Sequence, residues 1–146
     1  MAELFFMGRA TYALKPYFPT YPAHAFFDMP CQPTFLRERH NHFDNYGSYI
    51  PGFCGGLSLG NWLELDTLLE EGIDLDNYPV LRFLVADDME GLFHFAQDSG
   101  YPEAEQGHLS KCDLCLDIRR RLVTQGKFAE LRPRQFYERL TPETTL

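Results

Sequence analysis

Four cysteines, Cys31, Cys54, Cys112 and Cys115, are the only ones in the chain. The last two form a Cys-x-x-Cys pair, Cys112-Asp113-Leu114-Cys115, at a helix start suggested by the pattern around it. Soft thiolates gathered by one fold make a closed site for zinc or for an iron–sulfur cluster. A fold that gathers these four must bring three segments, far apart in sequence, to one place. Taken singly, Cys31 or Cys54 reads equally well as a small buried hydrophobe. The Cys-x-x-Cys pair alone reads as a redox dithiol, although such pairs usually follow the strand of a βαβ unit, and none is evident here.

Length and charge narrow the partners. A chain of 146 residues suits one domain. Thirteen lysines and arginines against 21 aspartates and glutamates give a net charge of -8. That balance argues against a nucleic-acid partner, which needs a basic face. No apolar run approaches the roughly 18 residues of a membrane span. The start, Met1 to Met7, lacks the basic residues and long apolar run of a signal peptide. These features predict a cytoplasmic protein, where cysteines serve as metal ligands or catalytic thiols more often than as disulfides.

The chain divides at about residue 30. Residues 1–30 carry Pro16, Pro19, Pro22 and Pro30 and many aromatic rings. A short helix is expected over Met1 to Leu14, followed by an extended, proline-spaced wrap. Tyr12, Tyr17, Phe18, Tyr21, Phe26 and Phe27 make that segment a candidate docking surface, with packing on its own domain as the alternative. Residues 31–146 read as an α+β unit, a small β-hairpin followed by several short helices around a four-cysteine metal or cluster site. The hairpin is expected from Phe35 to Asp44 and Ser48 to Phe53, joined by Asp44-Asn45-Tyr46-Gly47 with Gly47 free to take positive φ. Gly55 and Gly56 would let the backbone approach whatever Cys54 binds.

The helical pattern starts at Asn61. A first helix around Leu65, Leu68 and Leu69 stops at Gly72. Asn77 is the expected N-cap of Tyr78 to Ala86, with Pro79 in the first turn. Asp87 or Asp88 caps Met89 to Asp98. Ser110 with Asp113 resembles a capping box for a helix carrying Cys115, Ile118 and Leu122 on one face and ending at Gly126. A last helix starts near Pro133. At their helix start, Cys112 and Cys115 lie where orphan amides and the dipole favour thiolate. Lys111, Arg119, Arg37 and Arg39 are candidate donors to a negatively charged site. Among the histidines, His40 and His42 fit an ordinary strand face, His94 an apolar helix and His108 an exposed loop. Asp44 and Asp113 fit the turn and the cap.

The stretches from His42 to Cys54 and from Ser110 to Arg119 give this order a resemblance. A cysteine, a hairpin with an Asp-x-x-Gly turn, a cysteine and a distant Cys-x-x-Cys opening a helix are similar to the twitch and SPASM domains. Those are auxiliary iron–sulfur extensions of radical S-adenosylmethionine enzymes, and the likeness runs from about Cys31 to Tyr137. It implies that Cys31, Cys54, Cys112 and Cys115 ligate one auxiliary 4Fe–4S cluster, the twitch arrangement. It also implies a radical S-adenosylmethionine catalytic domain as partner, in cis or in trans. The chain departs from that family by a long span between Cys54 and Cys112, which holds extra helices. It also lacks the Cys-x-x-x-Cys-x-x-Cys set that leaves one iron open to S-adenosylmethionine.

The expectation is therefore an auxiliary cluster module for electron transfer or structural support, either excised from such an enzyme or a free-standing relative. A structural four-cysteine zinc module that mediates protein contacts is the alternative. A small thiol oxidoreductase, with a reactive Cys112 or Cys115, is a third reading.

Overall fold

A computed structural model describes residues 6–35 and 42–140. Arg37, Arg39 and His40 lie outside those residues. The core is helical. Helices α1 (Arg9–Leu14) and α2 (Gln32–Phe35) precede the hairpin strands β1 (His42–Phe43) and β2 (Tyr49–Ile50). Then follow α3 (Leu65–Glu71), α4 (Pro79–Val85), α5 (Met89–Asp98), α6 (Lys111–Leu122) and α7 (Arg134–Glu138). Helix α5 packs against both α4 and α6. Val80, Leu81 and Leu84 meet Leu92, Phe93 and Ala96, and these meet Leu114, Ile118 and Leu122, all buried. The apolar spacing within each helix puts these residues on inward faces. No helix among the described residues is long and apolar enough to cross a membrane.

Most of the first expected strand of the hairpin, residues 36–41, lies outside the described residues. Phe35 belongs to helix α2, and among the described residues the antiparallel pairing of the hairpin covers His42 opposite Ile50 and Phe43 opposite Tyr49. Its turn forms as expected. The Asp44 carboxylate accepts from the amides of Tyr46 (2.9 Å) and Ser48 (2.8 Å), and Gly47 takes φ 82°. Residues 59 and 60 extend the pairing on the other side of β2, through Tyr49 N–H to Gly60 O and Leu59 N–H to Tyr49 O.

The caps are partly those expected. Asp88 accepts from Gly91 N–H at 2.7 Å and starts α5. Ser110 Oγ accepts from Asp113 N–H, and the Asp113 carboxylate accepts from Leu109 N–H at 2.9 Å. Asp113 is buried there and pairs with Lys15 at 3.3 Å. Asn77 does not cap α4. Its side chain donates to Asp74, and Glu130, remote in sequence and fully buried, accepts from Val80 N–H at 2.8 Å instead. After Leu122 the chain tightens into a 3₁₀ turn, Val123–Gln125, and closes at Gly126 with φ 66°.

The N-terminal segment joins this core. Helix α1 covers Arg9–Leu14, and 3₁₀ turns cover Lys15–Tyr17 and Ala23–Phe26. Tyr21 bridges to His108, and Ala23 N–H donates to Glu103. Of the six rings taken as one docking surface, Phe26 is buried, Tyr12 and Phe27 pack on the core, and Tyr17, Phe18 and Tyr21 are exposed.

Candidate metal centre

Cys31, Cys54, Cys112 and Cys115 line a single cavity of about 620 Å³. All four thiols are free. Three separate devices place them. Cys31 precedes α2, where its amide donates to the Asp87 carboxylate at the α4–α5 corner. Cys54 follows the hairpin in a tight turn, its amide on Pro51 O at 3.0 Å. Cys112 and Cys115 stand on the first turn of α6, fixed by the Ser110–Asp113 cap. Met7, Phe35, Phe53 and Phe136 are among the apolar side chains that complete the walls.

Two of the expected cationic donors, Lys111 and Arg119, line the same cavity. Lys111 Nζ donates to Pro30 O. Arg119 is buried and its Nη1 donates to Gly55 O at 2.9 Å and to Tyr137 Oη at 3.3 Å. Its Nε has no partner among the described residues, and no carboxylate there lies within ion-pair range of it. A buried guanidinium without an anion is costly, because charge taken out of water needs a counter-charge and filled hydrogen bonds. Burial opposes its charge, but Tyr137, Cys115 and Cys54 as anions favour it, and the net direction is upward.

Burial makes three of the thiols poor nucleophiles. Burial, reinforced by Cys115, pushes Cys31 up to about 11. Burial pushes Cys54 up to about 12 against the pull of Arg119. Cys112 is raised too, first by burial and then by Cys115. The helix start therefore does not lower the Cys112 thiol, as its position alone suggests. A redox dithiol needs an accessible, low-pKa thiol, and Cys112 is half-buried and Cys115 buried.

Gly55 and Gly56 serve a different neighbour from the one expected. A Cβ on Gly56 would come within 2.4 Å of the Phe136 ring and 2.8 Å of the Tyr137 ring. The glycines let the chain pass under α7, while Tyr137 Oη–H donates to Gly56 O at 2.5 Å. Tyr137 thus links the loop after Cys54 to Arg119.

None of the described histidines lines this cavity. His94 is exposed and sits beside Glu90 and Gln97, not packed in the core. His108 is fully buried, contrary to its loop setting, and neither ring nitrogen has a partner among the described residues.

Among the described residues, no three histidine, cysteine, aspartate or glutamate side chains are gathered closely enough to ligate one ion. The four thiols share the walls of one cavity without forming such a group. No family model, curated protein or solved structure matches the chain.

Proposed function

We propose that the chain is an auxiliary 4Fe–4S module, held by Cys31, Cys54, Cys112 and Cys115. The observation that carries this reading is the meeting of all four thiols and an anion-less buried Arg119 at one cavity. Four thiolates on such a cluster leave a net negative charge, which is what the Arg119 guanidinium lacks. Its Nε is a spare hydrogen-bond donor at the cavity, and Lys111 adds a second cation to the lining. The cavity walls are largely apolar.

Four protein thiolates leave no iron open to substrate, so electron transfer or structural support is the function that fits. The twitch-like order of the cysteines, and the missing Cys-x-x-x-Cys-x-x-Cys set, make a radical S-adenosylmethionine catalytic domain the proposed partner.

Anaerobic reconstitution with iron and sulfide tests this directly. The expected product is brown and holds roughly four irons and four sulfides per chain. Cys31→Ser, Cys54→Ser and Cys112→Ser each lower that content. Stoichiometric zinc with no sulfide, bound by the same four residues, would replace the cluster reading with the zinc one. Reductive cleavage of S-adenosylmethionine by the pure chain would remove the accessory role.

A further inference from the structure

The 3₁₀ turn Trp62–Glu64 and helix α3 that follows it contain no buried side chain. Trp62, Leu63 and Leu69 are 57, 74 and 72% exposed. Scattered apolar residues on a surface are ordinary, but a helix whose leucines reach at most half-burial, at Leu65 and Leu68, with Leu69 exposed, is not. A helix of seven residues is also far below the roughly 12–15 at which isolated helices become even marginal in water. Such an element normally draws its stability from packing, and the principal neighbour of α3 is the turn that leads into it.

The charges sharpen this. No lysine or arginine stands between Arg39 and Arg82. Glu64, Asp66, Glu70, Glu71, Asp74 and Asp76 fall in the same stretch. Glu70 and Glu71 close the last turn of α3, where no basic residue offsets the helix dipole and acid is unfavourable. The ion pair recorded here, Arg82 with Asp76 at 3.9 Å, is exposed and weak. Asn61 caps the turn through Leu63 N–H, so the segment has a defined start. Trp62 lies against Gly47 and joins it to the hairpin turn.

We propose that residues 62–76 are a docking surface for a basic amphipathic helix of a partner protein. Its apolar stripe covers Trp62, Leu63 and Leu69, and its lysines or arginines meet the carboxylates and complement the C-terminal end of α3. A second copy related by a two-fold axis does not fit, because it would set one acidic face against another. The proposal is independent of the cysteine site.

The test uses a labelled leucine–lysine peptide with leucines at helical i, i+3, i+4, i+7 spacing. A permuted peptide of identical composition is the control, and binding to the full chain is read by fluorescence anisotropy. The amphipathic peptide is expected to bind, to lose affinity as salt rises, and to slow amide exchange over residues 62–76. Leu63→Gln with Leu69→Gln keeps the charge, and Glu70→Gln with Glu71→Gln keeps the size. Each pair should weaken binding by about tenfold or more, with the melting curve unchanged because these side chains are exposed. Equal binding of the permuted peptide, or full binding by the leucine double variant, would reduce the effect to general charge attraction and overturn the proposal. A self-association in sedimentation that Leu69→Gln abolishes would overturn it in favour of a second copy.

Discussion

The Asp87 carboxylate holds the backbone amides of Cys31 and Gln32, at 2.5 and 2.6 Å. Asp87 itself sits at φ 56°, in the left-handed region, at the corner between α4 and α5. The first cysteine is therefore placed by the helical core. It is not placed by the hairpin nearer to it in sequence.

Charge-assisted hydrogen bonds of this kind are worth about 1.5–3 kcal/mol each. Asp87→Gly removes the acceptor and keeps the backbone angle, since glycine takes positive φ without strain. The expected result is helical content close to wild type with a clear loss of iron after anaerobic reconstitution and faster stripping by chelator. Asp87→Asn keeps one acceptor oxygen and should fall between the two. Iron binding by Asp87→Gly at the wild-type level would show that Cys31 finds its place without this contact.

Arg119 makes a separate prediction. Its buried guanidinium lines the cavity of the thiols, so it should favour the more negative, reduced state of a bound cluster. Arg119→Gln is expected to lower the reduction potential. One charge-assisted hydrogen bond of about 1.5–3 kcal/mol corresponds to roughly 60–130 mV for one electron. Arg119→Lys keeps the charge but not the planar fork and should recover part of the shift. The measurement is a dye-mediated redox titration of the reconstituted variants. An unchanged potential in a loaded Arg119→Gln protein would mean that the guanidinium only braces Gly55 and Tyr137.

What could be read from the sequence is mostly local. The Asp44–Gly47 turn, the Asp88 cap and the Ser110–Asp113 cap depend on residues within a few positions of one another, and each formed as the pattern suggests. The four cysteines stood out because thiols are scarce and chemically distinctive, and they line one cavity. The errors have tertiary causes. Glu130 displaced Asn77 as the partner of the α4 amides from far along the chain. Burial outweighed the helix start at Cys112. His108 looks like a loop residue until the strand-like bridge to Tyr21 covers it. Asp87 gave a single hint, an aspartate beside a second aspartate that already served as the cap.

Gly56 tests how tightly the loop after Cys54 is fitted beneath α7. It has φ 81°, and a Cβ there would strike both the Phe136 and Tyr137 rings. Left-handed strain costs about 1–2 kcal/mol and overpacking about 1–3 kcal/mol. Gly56→Ala should therefore destabilise the protein by about 3 kcal/mol, which for a domain of this size lowers the melting temperature by roughly 6–12 °C. Adding Phe136→Ala vacates part of the space and should make the second substitution less costly than it is alone. Strict additivity in that double-mutant cycle would count against the contact as the cause.

His108 gives the pH dependence. Burial lowers its pKa from the ordinary 6.5, although Asp113 and Asp117 pull it upward and Lys15 and Glu103 contribute in opposite senses. Its ring is fully enclosed with both nitrogens unpartnered, so the folded protein resists protonating it. The unfolded chain binds that proton near its ordinary pKa. Between that value and the lower folded one, the unfolded state carries more protons, and stability rises with pH. The stabilisation is present above pH 6.5 and is lost as pH falls through the folded value. Urea melts of the metal-free protein between about pH 7.5 and 5 should show a declining midpoint, in a range above most carboxylate titration. His108→Leu replaces the ring by an apolar side chain, removes the two unfilled nitrogens, and should flatten that decline. Parallel pH curves for the two proteins would move the acid sensitivity elsewhere, with buried Glu130 excluded as its source: burial raises that carboxyl, and its contribution runs in the opposite direction.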